Sequence, residues 1–103
     1  MTKKYANKIG YSDIYPFEII HRTKKTIVIR EMRAKLDPNY KPIFVQGGFA
    51  GHCINQDEQK WIITPNKKAP EYRAYRRKDG NYYVNGSKFV EADNPVKFYD
   101  YNF

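Results

Sequence analysis

Two dipeptides, Asp79-Gly80 and Asn85-Gly86, punctuate the last third of the chain and leave it little conformational choice. Short runs rich in tyrosine, valine and arginine surround them: EYRAYRRK before the first, NYYV between the two, SKFV after the second. Both central residues of a type I′ hairpin turn need positive φ, which Gly, Asn and Asp adopt far more readily than other residues. The segment therefore reads as a three-stranded antiparallel meander. Two-residue turns at both dipeptides set Arg76 opposite Tyr83, Tyr75 opposite Val84, Tyr83 opposite Lys88 and Tyr82 opposite Phe89. One face then gathers Tyr75, Tyr82, Val84 and Phe89 as core, with Arg73 and Arg77 at its edge. The other gathers Tyr72, Arg76, Tyr83, Lys88 and Val90, a surface of aromatics and cations.

The remainder continues in the same vein. YPFEIIH (15–21) and KKTIVIREM (24–32) read as paired strands, with Ile27 and Ile29 on one face and Thr26, Val28 and Arg30 on the other. The stretch from Leu36 to Pro42 carries two prolines and reads as a loop. IFV (43–45) and QKWIIT (59–64) are short strand candidates, and Pro65-Asn66 stops the second. Only Asn55 to Lys60 suits a short helix, with Asn55 as its cap. The aromatic ending VKFYDYNF reads as a strand docking on a sheet, and the first 13 residues as a lead-in that need not be ordered. At 103 residues the chain has room for one domain. The expected fold is mostly β: a small antiparallel sheet or SH3/OB-like partial barrel of five to seven short strands with at most one short helix.

Charge points to the kind of partner. The chain carries 19 Lys and Arg against 11 Asp and Glu, a formal net charge of +8. A domain this basic attracts polyanions and phosphorylated ligands. Arg22, Lys24, Lys25, Arg30, Arg33 and Lys35 crowd one segment, and Arg73, Arg76, Arg77, Lys78 and Lys88 lie in the meander among tyrosines. These residue types grip phosphates and stack bases. The opening has no apolar core of a signal peptide, and no run approaches a membrane span. A single cysteine asks for no oxidising compartment, so the cytoplasm (a bacterial host's cytosol) is the expected location, with no membrane partner.

The stretch GGFAGHC, residues 47–53, holds three glycines, one of two histidines and the only cysteine. A P-loop would need Lys and Ser or Thr after its last glycine, where His52 and Cys53 stand. A dinucleotide fingerprint fails on spacing and on the missing βαβ context. What remains is either a steric turn or a backbone nest for an anion, with Gly48, Gly51, His52 and Asn55 as a second ligand wall. Neighbours on a strand point to opposite faces, so His52 beside Cys53 does not make a nucleophile and base. One cysteine and two histidines do not make a zinc site. No enzyme activity, no cofactor and no metal are expected.

Gly47 to Gln56, Arg77-Lys78-Asp79-Gly80, the early Tyr11-Ser12-Asp13 and the aromatic end Phe98 to Phe103 together resemble a group of small bacteriophage and mobile-element proteins. The resemblance implies a phage-like setting, in which small non-enzymatic β proteins bind host machinery or sequester nucleotide immune signals. It implies no functional residue. The expectation is a binding protein for a phosphate-bearing ligand, nucleic acid or nucleotide-like small molecule, with Tyr72, Arg76, Tyr83 and Lys88 as the patch. The alternative is a protein–protein inhibitor of a host defence enzyme or complex. Open edges in so small a sheet leave pairing into a homo-oligomer open.

Overall fold

Asn85 and Gly86 both take positive φ, +48° and +85°, and the turn they form pairs Val84 with Ser87, Tyr83 with Lys88 and Tyr82 with Phe89. This is the register the dipeptide predicts. The Asp79-Gly80 turn differs. Arg77 N–H donates to Asn81 O and Gly80 N–H to Arg77 O, both at 2.9 Å, so the loop holds three residues, 78–80. Only Gly80 is left-handed, at +85°, while the Asp79 carboxylate accepts the Asn81 N–H at 2.9 Å. By bonding forward to the backbone, Asp79 favours the three-residue loop, in which the glycine alone is left-handed. One extra loop residue moves the pairing to Tyr82 with Arg76 and Tyr83 with Tyr75. The strand before the turn therefore presents the opposite face from the one expected.

The computed structural model describes residues 2–47 and 50–102. Its strands are β1 (Tyr5–Ile9), β2 (Ile14–Tyr15), β3 (Phe17–Arg22), β4 (Thr26–Glu31), β5 (Arg33–Leu36), β6 (Phe44–Gly47), β7 (Ala50–Cys53), β8 (Trp61–Thr64), β9 (Glu71–Arg76), β10 (Tyr82–Val84) and β11 (Ser87–Ala92). Six of them, in the order β1, β3, β4, β9, β10, β11, pair antiparallel, and β11 pairs back onto β1 through Tyr5–Ala92 to Ile9–Lys88. The ring so closed is a small barrel, in keeping with an SH3/OB-like partial barrel. Within the opening residues, β1 is the strand that closes the ring.

The barrel interior holds Ala6, Phe17, Ile27, Ile29, Ala74, Tyr82 and Phe89, with Tyr15, Ile19 and Val84 packed against them. Alanine on β1 and β9 faces bulk on β3, β10 and β11, the small-and-large filling that a narrow barrel requires. Phe17 and Phe89 meet edge to face at 4.9 Å. Ile27 and Ile29 are wholly buried, and each is worth about 1.5–3 kcal/mol in burial. On the outer surface Arg30 lies between Glu18 (2.8 Å) and Glu71 (3.9 Å), its cross-strand neighbours on β3 and β9.

Between β4 and β9 the chain leaves the barrel as an arm of two ribbons, β5 with β8 and β6 with β7. The molecule accordingly measures 50 × 27 × 26 Å, with a radius of gyration of 15.6 Å against about 13 Å for a compact chain of this length. The expected helix is one 3₁₀ turn, Gln56–Glu58, whose Asn55 side chain does not cap it. The expected C-terminal strand is reduced to one bridge, Phe98 with Ile14, and beyond it side chains of the barrel and arm tie down the tail. Asn7, buried on the outer side of β1, holds the tail's start: its amide donates to Asn94 O (3.2 Å) and accepts from Val96 N–H (2.9 Å).

Candidate functional site

The shifted register redistributes the four residues expected to form one patch. Tyr83 and Lys88 are cross-strand partners, and both lie outward, because their neighbours Tyr82 and Phe89 are buried. Tyr72 and Arg76 alternate with buried Ala74 through Arg73 and Tyr75, so they take the inward side of β9, one at each end of the barrel. Tyr72 borders the mouth lined by Lys8, Glu31 and Val84, and Arg76 borders the opposite end with Lys25. The structure does not bring the four together. It places Arg73, Tyr75 and Arg77 on the outer face beside Tyr83 and Lys88 instead.

That outer face is a cross-strand row. Thr26 on β4 pairs with Tyr75 on β9, Tyr75 with Tyr83 on β10, and Tyr83 with Lys88 on β11. The Arg77 guanidinium lies over the Tyr83 ring, 4.4 Å from its centroid, a cation–π contact. Tyr83 O–H donates to the Asp79 carboxylate. That bond raises the Tyr83 phenol and, with the Asn81 N–H, lowers the Asp79 carboxyl. A ring held by both its hydroxyl and a stacked guanidinium is a preset platform. Tyr75 is 58% exposed, and the Arg73 guanidinium, which donates to Thr26 Oγ1 at 3.1 Å, flanks it.

Beside this row an open groove of about 630 Å³ is lined by Lys25, Arg76, Arg77, Lys78 and Asp79. Arg76 N–H donates to Lys25 O at 2.9 Å and so fastens the β3–β4 turn to the β9–β10 turn. Among the described residues the ion pairs use Lys3, Arg22 and Arg30, and no carboxylate lies within ion-pair distance of Lys25, Arg73, Arg76, Arg77, Lys78 or Lys88. Six cations therefore gather around the exposed Tyr75 ring, the half-buried Tyr83 ring and one carboxylate, which its own turn engages. The basic segment 22–35, by contrast, is dispersed. Arg22 is spent on Glu91 and Arg30 on Glu18, while Arg33 and Lys35 lie on the arm.

The second proposed wall resolves differently. Gly48 lies outside the described residues. Gly51 and His52 are exposed on β7, while Cys53 is buried. Asn55 is spent on structure: its carbonyl oxygen accepts from Ile43 N–H (2.8 Å) and the Cys53 thiol (3.4 Å), and its amide donates to Lys41 O (2.9 Å). Its neighbours act likewise. Gln56 Oε1 accepts Tyr101 N–H at 2.9 Å, and Gln59 binds Trp61 Nε1–H (2.7 Å), Tyr99 N–H (2.8 Å), Tyr99 O (2.9 Å) and Gln56 O (2.9 Å). Asn102 reciprocates, accepting from Cys53 N–H (2.7 Å) and donating to Cys53 O (2.8 Å). The two motifs HCINQDEQ and FYDYN are thus halves of one clasp that pins the tail to the arm. An amide, donor and acceptor in one planar group, can complete such pairs with backbone, and this explains the residue type.

Among the described residues no group of three His, Cys, Asp or Glu could hold a metal ion. Among them, too, no helix is long and apolar enough to cross a membrane. Comparison with protein-family models, with curated proteins and with solved structures finds no match to this chain.

Proposed function

We propose that this protein binds a phosphate-bearing ligand, and that the ligand is single-stranded nucleic acid lying across the outer face of β9, β10 and β11. The observation that carries this is the row Arg73, Tyr75, Arg77, Tyr83 and Lys88, continued by the Lys25–Arg76–Lys78 groove, with no carboxylate among the described residues ion-paired to any of them. Exposed rings accept bases of any sequence, and the cations between them meet the backbone phosphates. The form of the surface favours a polymer over a free nucleotide. Small ligands are mostly enclosed by their sites, whereas this face is open and its groove shallow. In the phage-like setting that the sequence resemblance implies, such binding would occupy nucleic acid of the host.

Fluorescence anisotropy with a labelled single-stranded 16-mer tests the reading. With four to six phosphates engaged, log Kd should rise with log salt at a slope of about 3–4. Tyr83→Ala should weaken binding about fivefold or more, in line with ~1–3 kcal/mol per stacked base. Tyr72→Ala, on the other side of β9, should change it less than twofold. Arg77→Ala should both weaken binding and reduce the slope by about 0.7. Equal losses from Tyr72→Ala and Tyr83→Ala would remove the outer face as the site. A salt-insensitive protein that retains only a host protein in a pull-down would replace this reading with that of a protein inhibitor.

A further inference from the structure

The arm carries an edge that the rest of the molecule does not. From Pro42 to Gln56 no Asp, Glu, Lys or Arg occurs, in a chain that is 29% charged. Within that stretch β6 and β7 form an isolated hairpin on which Ile43, Phe44, Val45 and Ile54 are 51%, 54%, 42% and 58% exposed. The backbone pattern of the hairpin can be read off. Ile54 N–H donates to Ile43 O at 3.0 Å, so residues 43 and 54 are a hydrogen-bonded pair. Alternation then makes Phe44–Cys53 and Gln46–Gly51 non-hydrogen-bonded pairs, whose N–H and C=O groups point outward from the hairpin. On β7 that outward edge is covered at Cys53, where the Asn102 amide bonds both backbone groups as a neighbouring strand would. On β6 the N–H and C=O of Phe44 and Gln46 meet no partner among the described residues.

Other exposed edges here carry the usual defences against pairing: β5 has Arg33 and Lys35, β8 lies between Lys60 and Pro65, and β2 is followed by Pro16. Edge β6 has neither charge nor proline within it. It is also self-complementary. Placed antiparallel to a copy of itself about a two-fold axis at Val45, Phe44 exchanges both backbone bonds with Gln46 of the copy, and Gln46 with Phe44. Four hydrogen bonds result, and two hairpins become one four-stranded sheet. Charge decides the occupant. Two chains of +8 each repel over most of their surfaces, and the charge-free finger is where two copies can meet without opposing lysines.

We infer that two copies of this chain associate through β6, edge to edge and two-fold symmetric about Val45, the outward N–H and C=O of Phe44 and Gln46 being the groups that pair. The inference does not depend on the ligand reading, since the edge lies on the arm and the basic face on the barrel.

Sedimentation equilibrium from 1 to 500 µM, with cysteine cross-linking, tests it. The wild type should show a monomer–dimer equilibrium, and Val45→Lys, which sets two ammonium groups face to face at the axis, should weaken it at least tenfold. Val45→Cys should form an interchain disulfide on mild oxidation, because the Cα atoms of directly opposed residues of a non-hydrogen-bonded pair lie about 4.5 Å apart, within the span a disulfide bridges. Ile43→Cys should not, since its counterpart would lie about 13 Å away, four residues along the strand. The native Cys53 is buried and does not compete. A wild type monomeric throughout that range would overturn the proposal. So would equal cross-linking of the two cysteine variants, or a dimer whose constant Val45→Lys leaves unchanged.

Discussion

Gln59→Glu is the sharpest probe of how the arm and tail are joined, because it changes one NH₂ group for one oxygen at nearly constant shape. In the wild type all four hydrogen-bonding positions of the Gln59 amide are filled: two acceptor bonds from Trp61 and Tyr99 and two donated bonds to Gln56 O and Tyr99 O. A carboxylate keeps the first two and loses both of the donated ones. At about 1 kcal/mol net for each bond, the loss is about 2 kcal/mol. With a urea m-value of ~1–2 kcal/mol/M for a domain of this size, the midpoint should fall by about 1–2 M. Trp61, the only tryptophan, lies in the junction and reports it by fluorescence, while far-UV circular dichroism reports the strands. The deficit should also depend on pH. The two N–H groups bond one oxygen of the introduced carboxyl in either protonation state, whereas the two carbonyl oxygens facing its other oxygen disfavour the ionised form, so its folded pKa lies above the unfolded value near 4.3. A raised folded pKa means the deficit is smallest below the unfolded value, where the protonated group regains a donor. It grows as pH rises through the folded pKa and is complete above it. Measured against wild type at pH 3.5 and pH 7, the variant should therefore lose less at the lower pH. A midpoint shift under about 0.3 M at pH 7, or a deficit that ignores pH, would show that the amide does not hold the tail as argued.

Asn102→Ala removes both bonds to the Cys53 backbone and should cost about 1–2 kcal/mol, with faster alkylation of the Cys53 thiol as the tail releases its cover. Gly86→Ala and Gly80→Ala should each destabilise by about 1 kcal/mol in thermal denaturation, although a Cβ at either position meets nothing within 4 Å; the cost is one of φ at +85° and not of space. Tyr40 is buried beside Cys53, and burial foremost pushes its phenol up to about 12. Its contribution to stability is full below pH 10 and is lost as pH rises toward 12, so a melting-temperature profile from pH 9 to 12 should be less steep in Tyr40→Phe than in wild type.

What the sequence determined by itself is local. The alternation of Ile27 and Ile29 with Thr26, Val28 and Arg30 set the buried face of β4, and Asn85-Gly86 set both turn and register, since each depends on residues within a few positions. Runs rich in Ile, Val, Thr and aromatic residues marked the chain as β-rich, whereas the anionic partner that its charge suggests belongs to the proposal. What only the tertiary structure decided begins at Asp79. Whether that residue takes positive φ or bonds forward to Asn81 changes the loop by one residue, and one residue exchanges the two faces of β9. Arg73, Tyr75 and Arg77 thereby join Tyr83 and Lys88 outside, and Tyr72 and Arg76 leave them. The closure of the barrel through β1 and β11 was equally illegible, because a pairing between residues 79 to 87 positions apart leaves no periodic trace in either strand. So was the clasp: Asn55 and Gln56 read as the start of a short helix, Gln59 as the start of a strand and Asn102 as part of a docking strand. Only the approach of the tail to the arm gives their amides a backbone to complete.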